Sequence, residues 1–298
     1  MPNVLHDKFL GCLAGGAVGD AIGSLYETQT YISDIDFNYI HGITDDTQLT
    51  MATCEAIIDS PVLTPDAVAQ AMLKWYNKGI LRGLGSSTLS ALRALQVGAH
   101  WALAGRSGEY AAGNGAAMRI APLAFILDVS AQRQLIRDIC YITHKNEEAY
   151  VGAISVLYAL QNILREGKPA TTNLIAPIID HIPDTKVKDS LLLLAERPHY
   201  KLPIAAELIG TSGYVACSVP FSIFAAQQIT HMDFLTAMKG IMQCGGDTDT
   251  NAAIAGQLMG AAIGYNALPP EIKTAFRKIP ESSYIFELAE KMKTKCLL

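Results

Sequence analysis

The sequence predicts an all-α fold. Hydrophobic residues recur at helical spacing across 45–59, 65–78, 87–97, 131–143, 147–165, 232–243, 249–264 and 270–278, while alternating strand patterns are hard to find. Start signals precede several of these stretches. Glycines also repeat every four residues, at Gly11, Gly15, Gly19 and Gly23 and again at Gly256, Gly260 and Gly264, so that each set lies along one helix face.

In chain order, the first glycine set opens the argument. Glycine weakens a helix interior by roughly 1 kcal/mol relative to alanine, and stacking it on one face suggests that close backbone approach recovers the loss. Close helix packing is therefore expected in preference to direct ligand contact, with both glycine helices near the centre of the molecule. Next, "GITDDTQLTMATCEAI" (42–57) runs from a glycine-containing turn through Thr44, Asp45, Asp46 and Thr47 into an apolar helix. "LTPDAVAQAMLKWY" has Thr64 where an N-cap belongs, Pro65 at the first helical position and Asp66 in the first turn. "GEYAAGNGAAMR" (108–119) reads as a glycine-bearing turn entering a helix, and "VSAQRQLIRD" as a helix starting at Ser130. "CGGDTDTNAA" (244–253) repeats the acidic theme just ahead of the second glycine helix.

The 298 residues are 50% hydrophobic and 17% charged, enough to bury a substantial core. With no Pro/Ser-rich linker or charge block to divide them, residues 1–298 are expected to form one domain. The net charge of −5 and the lack of a basic stripe give no nucleic-acid-binding signature. Six scattered cysteines without a CxxC read as reduced core thiols of a cytoplasmic protein. The apolar N-terminal stretch is interrupted by Asp20, and "KCLL" places Cys296 third from the end rather than fourth, so neither a leader nor a prenyl anchor is expected. The expected state is a monomer that does not engage a membrane.

The two acidic motifs carry the chemistry. In a continuous helix, residues i and i+2 point roughly 200° apart, so Asp247 and Asp249 converge only at a loop-to-helix junction. Asp and Thr also favour such junctions as caps. One cap needs one acid, however, and capping leaves a surplus of carboxylates and hydroxyls at both sites. Hard oxygen donors without a Cys or His cluster select Mg²⁺, Mn²⁺ or Ca²⁺ over zinc. An EF-hand is excluded because the loop starting at Asp247 has Ala252 and Leu258 where glycine and glutamate are required. A prenyl-diphosphate synthase DDxxD would need an acid at Leu49.

Together the motifs resemble the ADP-ribosylglycohydrolase family: "GCLAGGAVGDAIGSLYE" at 11–27, "TDDTQLTMA" at 44–52, "GNGAAMRIAPLA" at 113–124, "TH" at 143–144, "SGYV" at 212–215 and "GGDTDTNAAIAGQLMGAAIG" at 245–264, in that order. The resemblance implies a metal-dependent enzyme in which Thr44, Asp45, Asp46, Asp247, Asp249 and Thr250 hold two Mg²⁺ or Mn²⁺ ions at helix N-termini. It implies hydrolysis of the bond between ADP-ribose C1″ and its acceptor, with Glu27 in gating or acid/base work and Asp45 or Asp46 assisting the water. Gly113, Asn114 and Gly115 would bind the diphosphate, His144 would approach a ribose and Tyr214 would stack on adenine. Arg119 reads as an ion-pair or carbonyl-binding residue, and Asp20 as a helix-packing polar group rather than a support for the ligands.

The expected partner is an ADP-ribosylated protein or a small-molecule ADP-ribose conjugate. Arginine is the first acceptor considered, ahead of serine, nucleic-acid-linked or free ADP-ribose derivatives. The chain departs from the family after His144, where "KNEEAY" replaces an Asp-Pro-like continuation, and the acceptor-facing loop around 28–41 carries no readable motif. An inactive ADP-ribose-binding homologue and a two-metal phosphohydrolase acting on the diphosphate are the alternatives.

Overall fold

Each helix expected from the periodicity forms, with ends shifted by two residues at most. The structure, a computed structural model, describes residues 2–27, 29, 32, 35–37, 39, 40, 42–165 and 173–296. The helices run α1 (Pro2–Tyr26), α2 (Asp45–Asp59), α3 (Pro65–Asn77), α4 (Ser86–Gln96), α5 (Trp101–Ala104), α6 (Arg133–Tyr141), α7 (Glu147–Arg165), α8 (Ala176–Ile179), α9 (Lys186–Ala195), α10 (Leu202–Ile209), α11 (Val215–Gln227), α12 (Phe234–Gln243), α13 (Thr248–Ile263), α14 (Pro270–Lys278) and α15 (Ser282–Met292). The strands among the described residues are a single two-residue parallel pair, β1 (Arg106–Ser107) beside β2 (His144–Lys145).

The glycine faces meet each other. A methyl group added to Gly11 would meet the carbonyl oxygen of Gly260, one on Gly15 that of Gly256, one on Gly19 that of Ala252 and one on Gly23 that of Thr248. These pairs step by four in opposite directions, so α1 and α13 lie antiparallel with their backbones in contact. The packing expectation therefore holds, although Gly264 itself falls just past the helix, where it ends α13 at φ 79°. The Thr248 hydroxyl donates to the Gly23 carbonyl at 2.8 Å and pins the end of α1 to the start of α13. The segment Val4–Tyr26 is long and apolar enough to cross a membrane, yet 83% of its apolar window is buried inside the protein.

Other helices wrap this pair, with α7, α11 and α12 packing against α13 and α14 and α15 against α1. On α2, the buried Glu55 accepts from Lys74 Nζ (2.9 Å) and Trp75 Nε1 (3.0 Å) of α3 and from Tyr284 Oη (2.7 Å) of α15, tying three helices together. Thr64 caps α3 as expected, its hydroxyl accepting the Ala67 N–H. Ser130 does not start α6: Asp128 Oδ1 accepts the N–H groups of Ser130 and Ala131, and the helix begins at Arg133. The 108–119 stretch likewise leads not into an α-helix but into turns and a short 3₁₀ segment, Ala121–Phe125. All six cysteines are free; Cys12, Cys54 and Cys140 are buried, while Cys217, Cys244 and Cys296 are only partly so.

The α1–α13 contact sets the sign of a simple test. Helix propensity alone makes Gly260→Ala stabilising by roughly 1 kcal/mol. The added methyl would instead collide with Gly11 backbone, which cannot rotate aside. A loss of about 1–3 kcal/mol is expected in urea unfolding; a gain would mean the two backbones are not in contact.

Candidate active site

The acidic turn at the start of α2 is anchored from α1. Asp20, fully buried, accepts the Thr44 N–H (3.0 Å) and hydroxyl (2.7 Å) and the Thr47 N–H (3.1 Å) and hydroxyl (2.6 Å). Sequence reasoning took Asp20 for a packing group; it is the support on which this turn is built. Because Asp20 takes the Thr47 N–H and the Thr44 hydroxyl takes the Asp46 N–H, capping of α2 leaves the carboxylates of Asp45 and Asp46 for other work.

The second junction is built from two glycines in the left-handed region, Gly245 (φ 66°) and Gly246 (φ 81°), which turn the chain from α12 into α13. Asp247 is the N-cap residue, but its side chain caps nothing. Its N–H donates to Thr211 O at 2.9 Å, and its Oδ2 accepts Asn114 Nδ2 at 2.6 Å. Asn114 also donates to the Ser218 hydroxyl (2.9 Å), which donates to Asn251 Oδ1 (2.8 Å). Asp247 and Asp249 do converge here, and the Glu27 carboxylate from the end of α1 joins them: one oxygen from each lies within 4.8 Å of the others. Thr250 Oγ1 reaches across to Asp46 Oδ2 at 3.3 Å and links the two junctions.

Like charges dominate this cluster. Burial raises the carboxyl pKa of Asp46, and the Asp249 charge adds to it; burial and then Asp247 do the same for Asp249. Asp45 is raised by burial and by Asp20, and Glu27 by burial and by Asp247. Asp46 Oδ1 is buried without a hydrogen-bond partner, a costly arrangement for an acceptor. An all-oxygen donor set with an orphaned buried oxygen and three converging carboxylates fits a hard divalent cation.

The cluster forms the floor of a cavity of about 580 Å³. One wall is the glycine turn, where a methyl group on Gly113 would sit 3.2 Å from His144 Nε2 and one on Gly115 2.8 Å from His144 Cε1. These glycines make room for the imidazole. The Arg119 guanidinium donates to the Gly115 carbonyl and, at 2.8 Å, to the Thr143 hydroxyl, acting on the carbonyl as expected. Thr143 Oγ1 lies 2.8 Å from His144 Nδ1. Thr143 thus links the ring to Arg119, and Nε2 points to the glycines. Burial, reinforced by the Arg119 charge, depresses the His144 pKa to about 3, so the ring is neutral.

The start of α4, which also lines the cavity and brings Thr88 Oγ1 to 3.3 Å from a methyl group placed on Gly115, was missed by sequence reasoning. Gly85 opens α4 without a side-chain cap, and Ser86, Ser87 and Thr88 line the cavity. Ser87 and Thr88 are 6% and 2% exposed, and their hydroxyls have no hydrogen-bond partner among the described residues. The signal was the segment "GLGSSTLSAL", a glycine loop running into a helix. Tyr214 faces a neighbouring cavity of about 550 Å³ with Asn146, Glu148 and Lys186; Tyr110, Gly113 and Gly213 border both spaces. The unexpected residues after His144 serve as caps: Asn146 accepts from the Ala149 N–H, and Glu148 accepts from Lys186 and Val187 at the start of α9. Much of the 28–41 loop lies outside the described residues.

A family model described as ADP-ribosylglycohydrolase matches residues 1–297. The human protein named ADP-ribosylhydrolase ARH3 is 24% identical over 316 residues, covering 88% of this chain and 87% of its own length. ADP-ribosylarginine hydrolase Tri1 of Serratia proteamaculans is 28% identical over 304 residues, covering 96% and 79%. A solved structure titled ADP-ribosylglycohydrolase-related protein complex shares the fold, with a TM-score of 0.77 and 24% identity over 99% of this chain and 100% of that one.

The crowded acids predict opposite effects of one substitution. Asp249→Asn replaces an acid whose ionisation the native cluster opposes and the unfolded chain permits, so at neutral pH the protein in EDTA should melt a few degrees higher. The stabilisation of the wild type by Mn²⁺ should shrink or vanish in the variant. Paired melting curves with and without Mn²⁺ check both; an unchanged response to Mn²⁺ would remove Asp249 from the set of cation ligands.

Proposed function

The chain belongs to the ADP-ribosylglycohydrolase family, and from that premise we propose that it is a divalent-cation-dependent hydrolase that cleaves the C1″ bond between ADP-ribose and its acceptor, arginine first among acceptors. One observation carries this reading. An acid cluster suited to a cation and an uncapped helix start suited to an anion line one cavity, as a substrate with a negative diphosphate and a reactive ribose requires. The printed name of the Tri1 relatives, ADP-ribosylarginine hydrolase, supports arginine.

In this reading Thr44, Asp45, Asp46, Asp247, Asp249 and Thr250 would hold two Mg²⁺ or Mn²⁺ ions, with the Glu27 carboxylate beside Asp247 and Asp249. Such ions would supply polarisation of a ribose oxygen and a lowered pKa for water. The free N–H groups and hydroxyls at the start of α4, with the Gly113–Gly115 turn, receive the diphosphate. His144 offers its Nε2 to a ribose, and Tyr214 and Tyr110 flank the adenine in the neighbouring cavity.

Hydrolysis forms a bond from water oxygen to C1″ as the bond from C1″ to the acceptor breaks. Asp45 or Asp46 orients the water and takes its proton. Glu27 is suited to return a proton to the departing acceptor, because its carboxylate is exposed at the rim and burial and Asp247 hold its pKa above the usual value.

Product analysis on an ADP-ribosylated arginine peptide tests the reading. C1″ cleavage releases intact ADP-ribose, diphosphate cleavage releases AMP, and an inactive binder releases neither. ADP-ribose is expected with Mg²⁺ or Mn²⁺ and not after EDTA treatment; full turnover in metal-free buffer would sink the cation requirement. Glu27→Gln is expected to keep ADP-ribose binding and lose roughly 10²–10⁴-fold in single-turnover rate. A near-normal rate would return Glu27 to a structural role.

A further inference from the structure

The stretch leading into α4 is held against the acidic turn by one buried side chain. Gln48, in the first turn of α2, is 1% exposed. Its Nε2 donates to the Ile80 carbonyl at 2.9 Å and its Oε1 accepts the Arg82 N–H at 3.0 Å. A single primary amide thus satisfies a backbone acceptor and a backbone donor two residues apart, much as a neighbouring strand would. The Asp45 N–H adds a third bond, to Arg82 O at 2.7 Å. Gly83 follows at φ 78°, packed so closely that an added methyl group would sit 3.1 Å from Asp45 Oδ1 and 3.2 Å from Thr44 Cβ. Two residues later Gly85 opens α4.

We propose that Gln48 is a positioning residue for the ligand: by clamping residues 80–82 to α2, it fixes where the α4 N-terminus stands relative to the acidic cluster. Gln48 does not line the cavity itself. It acts through the backbone, and it couples the anion-receiving wall to the same helix that carries Asp45 and Asp46. The residue type matters because both bonds are needed: glutamate would set a carboxylate oxygen against the Ile80 carbonyl, and methionine would match the volume while making neither bond. Ile80 and Arg82 belong to an exposed stretch, and Gln48→Met loosens it by removing both bonds at once while keeping the volume filled.

The inference rests on ADP-ribose occupying this cavity, and its test separates the two. In Gln48→Met, amide hydrogen exchange across 80–88 should accelerate in the metal-free protein. ADP-ribose Kd and substrate KM should rise about tenfold, as expected for the loss of two hydrogen bonds' worth of pre-organisation, with kcat changed less than about threefold and Mn²⁺ affinity retained. If Met is not tolerated, Gln48→Asn, too short to reach either group, serves instead. Accelerated exchange with unaltered ADP-ribose affinity would make the clamp purely structural and overturn the proposal. So would unaltered exchange, or a fall in Mn²⁺ affinity matching the fall in ADP-ribose affinity. A wild-type protein that binds no ADP-ribose would instead fail the functional reading, and the same comparison made with inorganic pyrophosphate would then decide the clamp.

Discussion

Backbone contact between α1 and α13 is the constraint on which the rest depends. Four glycine positions on α1 leave no room for a β-carbon, and that absence sets both the separation and the register of the two helices. Register then determines chemistry. With Gly23 against Thr248, the chain leaving α1 delivers Glu27 beside Asp247 and Asp249, while Asp20, three residues before Gly23, turns to the other junction and holds Thr44 and Thr47. One helix therefore positions both halves of the acidic site, and a shift of one turn along α13 would separate the carboxylates it brings together.

The site is arranged against its own stability. Carboxylates crowd one another at low exposure, and the Asp46 oxygen without a partner sits among them. Such an arrangement is held by the surrounding structure rather than by its own contacts. The supports are visible: Asp20 takes the capping role that would otherwise consume an acid, Asn114 grips Asp247, and Thr250 bridges to Asp46. Together they hold the acids in place while leaving Asp46 Oδ1 without a protein partner. The packed glycine helices contribute the rigidity that makes this possible, since repelling groups on a looser frame would move apart.

How much of this was legible depended on distance along the chain. The glycine faces could be read because a period of four is a local pattern, and the convergence of Asp247 with Asp249 because side chains at i and i+2 point apart inside a helix and meet only at a junction. Thr64 with Pro65 marked α3 for the same reason. What escaped was non-local. Asp20 caps a turn 24 residues away, and no spacing rule connects them. Gly113 and Gly115 could be read as a turn, but not the helix that fails to follow it, nor the approach of His144, which is tied to Arg119 through Thr143. Helix α11 was not seen because it is buried nearly all round and carries Pro220 in its interior, so no amphipathic period marks it. The wall at α4 was missed although its signal was present, since serines after glycine serve ordinary caps as readily as they serve ligands.

Three helix starts with different first-turn chemistry open on this cavity. They are the N-termini of α2, α4 and α13, and each carries partial positive charge from N–H groups that lack intrahelical partners. At α2 and α13 that charge is set against the acids, moderating the repulsion that burial would otherwise magnify. At α4 there is no acid in the first turn, so the same partial charge faces outward into the cavity. The division is made by sequence: Asp-Asp and Asp-Thr-Asp at two starts, Ser-Ser-Thr at the third. Placing a carboxylate at the α4 start would spend its N–H groups on the protein itself, whereas small hydroxyl residues leave them unspent at the cavity.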